Sequence, residues 1–185
     1  MLIICCTLAS NFSSYCQKQT VDTSNESLIM LYKLASQEFI GEKVVEFSAF
    51  DLYGNRFTTN DLNDKITFIN FWFEACPPCL AEFEALNNLY EKYKCKEKFQ
   101  FFSFTFETKE DAERVVKQHN LKFPVLLISY DSSKIMNFGQ GFPLNMILNK
   151  EGKVNLISPG GPIAPKEAQE KFNILFKPSL DSLLQ

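Results

Sequence analysis

Cys76-Pro77-Pro78-Cys79 places two thiols three positions apart, a spacing at which the sulfurs can close into a disulfide and open again. The chemistry that this permits is thiol–disulfide exchange: a thiolate attacks a disulfide sulfur, and a second thiol resolves the mixed disulfide. The flanking residues support it. Residues 66–73 (ITFINFWF) are β-branched and aromatic with Asn70 as the single polar interruption, which predicts a strand buried on both faces. After the prolines, Leu80, Phe83, Leu86, Leu89, Tyr90 and Tyr93 step by three and four, the pattern of an amphipathic helix. A cysteine just ahead of that helix meets unpaired N–H groups and the positive end of the helix dipole, which favour thiolate over thiol. Pro77 and Pro78 lack N–H groups and fix φ, so they stiffen the turn. Cys76 is therefore expected to be an exposed nucleophile and Cys79, one turn deeper, the resolving thiol. Two other readings are half of a zinc site and a purely structural disulfide. Zinc lacks ligands, since no second CxxC exists and His119 is the only histidine. A structural bridge has no need of a strand-to-helix position.

The elements that must hold this pair can be read around it. Residues 26–39 have helical spacing and end at Gly41. Residues 44–52 and 56–58 form a hairpin about Tyr53-Gly54-Asn55, and residues 60–65 are a polar connection. Residues 99–106 (FQFFSFTF) predict a second buried strand, and residues 109–119 a polar helix with Ala112, Val115 and Val116 on one face. Residues 124–129 are a short strand. Residues 144–149 and 153–157 flank Lys150-Glu151-Gly152 as a hairpin. Pro159-Gly160-Gly161-Pro162 is a loop, and Pro165 opens a helix over residues 166–176. The order predicts an α/β fold: a central mixed β-sheet flanked by helices, with an N-terminal β-hairpin extension.

A chain of 185 residues suits one domain with an extension, here residues 26–185 as the domain and residues 1–25 as signal or anchor and linker. Apolar residues at 45% and charged residues at 22% exclude wholesale disorder. A net charge of −3 argues against a nucleic-acid partner, which a concentrated basic excess would mark. Six cysteines are too sparse for a disulfide scaffold. Residues 2–9 (LIICCTLA) match the apolar core of an export signal, although no positive charge precedes them. Cys5, Cys6 or Cys16 could carry a lipid anchor, while the plainer reading is a floppy terminus with incidental cysteines. No run approaches the roughly 20 apolar residues that span a bilayer.

Asn70-Phe71-Trp72-Phe73-Glu74-Ala75 together with the two cysteines and prolines resembles the active-site segment of thioredoxin-fold proteins. The chain is most similar to the extracytoplasmic TlpA/ResA-type thiol–disulfide oxidoreductases of the AhpC/TSA-Redoxin superfamily. Residues 47–65 resemble the hairpin that precedes the motif in that family and in peroxiredoxins. Gly141-Phe142-Pro143 and the following residues 144–153 resemble its cis-proline strand and hairpin, so the likeness covers about residues 41–176. It implies a thioredoxin-like fold, Cys76 as nucleophile, Cys79 as resolving thiol, and Pro143 as a cis-proline beside the disulfide. There the exposed backbone of Phe142 would pair with a substrate strand.

Where thioredoxin has a buried Asp on the strand, this chain has Asn70. Glu82 matches an acidic residue that the cytochrome-maturation branch places near its disulfide. A buried Glu there could accept the Cys79 proton; the bland alternative is a solvated helix glutamate. Glu74 is expected to be exposed and to tune Cys76 weakly. Phe142 replaces the small residue common before the cis-proline, Ala75 replaces a common Trp, and Cys95 has no family role. The resemblance implies protein disulfide substrates, among them the oxidised CxxCH haem-attachment site of an apocytochrome c. It also implies a membrane thiol–disulfide electron donor, a periplasmic or otherwise extracytoplasmic location, and no cofactor. The alternatives are a disulfide-donating oxidase, a peroxiredoxin-like peroxidase and a non-catalytic peptide-binding module. Peroxiredoxins need a Thr and an Arg near one cysteine, and the only arginines here are Arg56 and Arg114.

Overall fold

A computed structural model describes residues 25–185. The signal, anchor and lipidation readings for residues 1–25, with Cys5, Cys6 and Cys16, thus fall essentially outside the described residues. The elements are α1 (Asn25–Ser36), β1 (Ser48–Asp51), β2 (Arg56–Thr58), β3 (Ile66–Trp72), α2 (Pro77–Tyr93), β4 (Phe99–Thr105), α3 (Lys109–Gln118), β5 (Val125–Leu127), α4 (Tyr130–Met136), β6 (Leu144–Leu148), β7 (Val154–Pro159), α5 (Pro165–Lys171) and α6 (Lys177–Leu183).

They build one seven-stranded mixed sheet in the order β2-β1-β5-β4-β3-β6-β7. The β3–α2–β4 and β4–α3–β5 units pair their strands in parallel, while β6 joins the other side of β3 antiparallel. All seven residues of β3 are buried, as its unbroken apolar pattern requires of a central strand. Alternation divides them between two cores. Ile66, Phe68 and Trp72 face one core with Phe83, Leu86 and Leu89 of α2 and Phe172, Phe176 and Leu180 near the C-terminus. Ile69 and Phe71 face the other, with Phe102, Phe104, Met136 and Met146. Stacked rings tie neighbouring strands, Phe68 on Phe101 at 5.0 Å and Phe71 on Phe104 at 5.3 Å.

Four elements depart from the sequence reading. The strand expected over residues 44–52 shrinks to Ser48–Asp51. The connection at residues 60–65 contains a 3₁₀ turn, Thr59–Leu62, closed by a Thr58/Asp61 capping box and burying Leu62. A helix with no strong sequence signature, α4, starts where the Ser129 side chain accepts a hydrogen bond from the Ser132 N–H. The C-terminal helix does not stop at residue 176. It passes through a π-helical segment, Phe172–Phe176, into α6. The wide turn suits Pro178, which cannot donate to the helix ladder.

One feature of the sheet is polar. Asn70 of β3 is in register with Ser103 of β4 and with Asn145 of β6, and Asn145 is in register with Ser158 of β7. All four are buried. Asn70 follows Phe68 and precedes Trp72 by two positions, so the row lies on the face covered by α2.

Candidate active site

The strand β3 ends at Trp72, and four residues later Cys76 N-caps α2. Its Sγ accepts a hydrogen bond from the Cys79 N–H at 3.3 Å. Pro77 and Pro78 occupy the first helical turn, where two of the unpaired donors would otherwise stand. The Cys79 N–H is therefore the first backbone donor of α2, and it points at the Cys76 sulfur. Cys76 and Cys79 are joined as a disulfide with their Cα atoms 5.2 Å apart.

The expectation of an exposed nucleophile is corrected in this oxidised state. Cys76 is only 3% exposed and Cys79 1%. The Cys76 sulfur is bonded to Cys79, and both cysteines belong to the core that holds Trp72 and Phe83. Ala75 and Pro77 on either side of Cys76 are exposed, so the surface opens at the backbone flanking it.

Glu82, two turns into α2, is fully buried rather than solvated. Asn145 donates to its Oε2 at 2.6 Å, and the Lys171 ammonium donates to its Oε1 at 3.0 Å. Behind Asn145 the polar row continues: Asn70 Nδ2 donates to Asn145 Oδ1 at 2.9 Å, and Ser103 Oγ donates to Asn70 Oδ1 at 3.0 Å. Each member donates a hydrogen bond to the next, in the direction of the carboxylate. Burial pushes the Glu82 carboxyl above the usual glutamate range, against the opposing pull of the Lys171 charge and the hydrogen bonds from Asn145 and Lys171. Cys79 and Glu82 are three positions apart on α2, hence neighbours on one helix face.

The Phe142–Pro143 peptide bond is cis. A Cβ placed on Gly161 would stand 2.5 Å from Glu82 Oε1 and 3.3 Å from the Pro143 ring. Only glycine therefore lets the loop after β7 close over the carboxylate and the cis-proline together. Phe142 packs edge-on against Phe73 at 5.4 Å and against Phe106 at 5.5 Å, and Tyr130 meets Phe106 at 5.0 Å. An aromatic wall thus stands beside the segment that leads to Cys76.

Glu74 is half-exposed and forms an ion pair with Arg114, which also holds Asp111. The hydrogen bond from Arg114 keeps the Glu74 carboxyl below its usual range. Arg56 lies on the β1–β2 hairpin, where it donates to Ser48. Cys95 is an exposed free thiol, and His119 rests edge-on against Phe83 at 5.2 Å. Among the described residues no cluster of His, Cys, Asp or Glu could hold a metal ion, and no helix is long and apolar enough to cross a membrane.

Sequence reasoning missed Lys171 and Asn145. Both left a trace. Lys171 is the lone charge on an apolar stripe with Ala168, Phe172 and Leu175, and Asn145 interrupts LNMIL as Asn70 interrupts ITFINFW.

Comparison with known proteins follows the same lines. Residues 40–155 match the AhpC/TSA family. Thiol-disulfide oxidoreductase ResA of Bacillus cereus is 36% identical over 116 residues, which are 62% of this chain and 66% of the relative, so the chain spans just under two thirds of that protein. ResA of Geobacillus thermodenitrificans is 30% identical over 124 residues, covering 65% of this chain and 70% of the relative. A Chlorobium tepidum crystal structure, provisionally named thiol:disulfide interchange protein DsbE, shares the fold with a TM-score of 0.67 and 22% identity, over 79% of this chain and 98% of that one.

Proposed function

The chain belongs to the AhpC/TSA family, and from that premise we propose that it is a thiol–disulfide oxidoreductase that reduces disulfides in proteins outside the cytoplasm. The observation that carries the reading is the Cys76–Cys79 disulfide at the start of α2, with the Cys79 N–H directed at Cys76 Sγ. Reduced, the Cys76 thiolate attacks one sulfur of a substrate disulfide; a mixed disulfide forms and the other substrate sulfur leaves as a thiolate that takes up a proton. Cys79 then gives its proton to the Glu82 carboxylate and attacks Cys76 Sγ. That bond closes, the mixed disulfide breaks, and the substrate departs as a dithiol while the enzyme retains the disulfide. Pro143, with the backbone of Phe142, would hold the substrate strand beside the sulfurs.

The location is supported by residues 2–9, whose apolar run suits an export signal or anchor. The substrate we propose is the one that the sequence resemblance implies, an oxidised CxxCH site of an apocytochrome c, with a membrane thiol–disulfide protein returning the electrons. Trp72 is buried in the same core cluster as both sulfurs, so its fluorescence should follow their redox state in thiol buffers. A potential near the thioredoxin value of about −270 mV supports a reductase. One near −120 mV would instead make the protein a disulfide donor.

A further inference from the structure

The C-terminal helix supplies a charge to the redox site. Lys171 is 2% exposed, although lysine is almost never fully buried without a partner. Its Nζ donates to Glu82 Oε1 at 3.0 Å and to the Gly160 carbonyl at 2.6 Å, and it lies 5.8 Å from the Tyr32 ring and 6.0 Å from the Phe176 ring. The pair buries two charges that water would otherwise solvate, which is seldom a gain in stability over a packed apolar pair. Its geometry is instead suited to a proton acceptor. Ionised Glu82 receives a donor on each oxygen, Lys171 on one and Asn145 on the other.

We propose that Lys171 is a positioning residue of the redox site, its ammonium holding Glu82 ionised and aimed until the Cys79 proton arrives. This rests on the reading of Glu82 as the acceptor of that proton. When the carboxylate takes it, the Cys79 thiolate closes the Cys76–Cys79 bond and the substrate sulfur leaves with the electron pair. The proton returns to solvent when Glu82 ionises again. The other groups that bear on Glu82 are Tyr32 of α1, whose own ionisation the Glu82 charge opposes, and Cys76 and Cys79 of its own helix. The loop after β7 contributes only the backbone at Gly160 and Gly161.

The test is the pH profile of the resolving step. Reduced full-length protein is mixed with oxidised glutathione, and the concentration-independent phase of the Trp72 signal is followed across pH. Lys171→Met should move the acidic limb of that profile upward by about one unit or more, the size of shift expected when an opposite charge is removed at this distance. On that limb the rate falls about tenfold per unit of displacement. Lys171→Gln, which keeps a donor for Glu82 and Gly160 but no charge, should do the same and serves if the methionine variant does not fold. In a Glu82→Gln background, Lys171→Met should change nothing. A profile that ignores both Lys171 substitutions, that shifts equally in the Glu82→Gln background, or that survives Glu82→Gln intact overturns the proposal. In each of these cases exchange at Cys76 still occurs. Failure of the wild type to form the glutathione adduct at all is the distinct result that overturns the exchange reading, and the role of Lys171 with it.

Discussion

Asn70 and Asn145 stand opposite each other in the register of β3 and β6 and are joined by a 2.9 Å side-chain hydrogen bond in the buried layer beneath α2. That bond connects the strand leading to the cysteines with the strand that follows Pro143. It also passes the polar row on to Glu82, because Asn145 accepts from Asn70 through its amide oxygen and donates to the carboxylate through its amide nitrogen. The helix carboxylate of Glu82 is thus connected through two amides to the strand that leads to the cysteines.

The order of the two thiols gives the first prediction. Cys76→Ser should lower disulfide-reductase turnover by roughly 10³-fold or more, since the nucleophile is gone. Cys79→Ser should lower turnover as far but accumulate a mixed disulfide on Cys76. Insulin reduction measures the loss, and intact-mass spectrometry identifies the adduct. An adduct on Cys95 in place of Cys76 would refute the assignment.

The buried carboxyl predicts a stability profile. The Glu82 carboxyl is raised in the folded protein, chiefly by burial, so the native state binds the proton more tightly than the unfolded chain. Its contribution is therefore fully present below the unfolded value of about 4.3 and is lost as pH rises through the native one. Relative to the Glu82→Gln/Lys171→Met double variant, the wild type should lose stability with rising pH across that window, by about 1.4 kcal/mol for each unit between the two values. Urea midpoints at constant ionic strength measure it. A constant difference across the window would contradict the assignment.

Gly161→Ala should cost about 1–3 kcal/mol, the range for overpacking a filled interior. Its methyl would meet Glu82 Oε1 at 2.5 Å and the Pro143 ring at 3.3 Å. The carboxylate cannot swing aside cheaply while Lys171 and Asn145 both hold it. The resolving step should slow as well, and denaturant melts with stopped-flow fluorescence separate the two effects.

The aromatic wall predicts selectivity. Phe142→Thr removes ring contacts with Phe73 and Phe106 and should cost about 1–2 kcal/mol, less than a fully buried phenylalanine because Phe142 is half-exposed. For disulfide peptides with an apolar residue beside the cysteine, KM should rise more than kcat falls. Equal changes for polar and apolar peptides would show that the ring does not read the substrate.

Much of this arrangement was legible in the residues. The pattern ITFINFWF followed by the cysteines and a 3–4 apolar stripe is enough to predict β3 and α2, because a short unbroken β-branched and aromatic run marks a strand buried on both faces and the 3–4 spacing marks an amphipathic helix. The rest depends on relationships that spacing does not encode. Asn70 is visible as a polar residue in an apolar strand, but its partners Ser103 and Asn145 are set by sheet register. Helix α4 escaped because YDSSKIM has two serines and too few apolar positions to show a period; Met136 packing into the core holds it. The burial of Cys76 was missed because a helix N-terminus suggests access, whereas here the disulfide lies in the core with Trp72 and Phe83.

The π-helical stretch Phe172–Phe176 acts as a phase shifter between two halves of the C-terminal helix. Lys171 on one side must face Glu82, while Leu180 on the other must face the core. Each residue of an ordinary helix advances the azimuth by about 100°. Deleting one residue from this stretch would leave the composition and helicity of the segment nearly unchanged yet rotate everything beyond it away from its seat. The vulnerable property of the C-terminal helix is therefore its angular bookkeeping rather than its residue types, and length variation there should be tolerated far less than substitution.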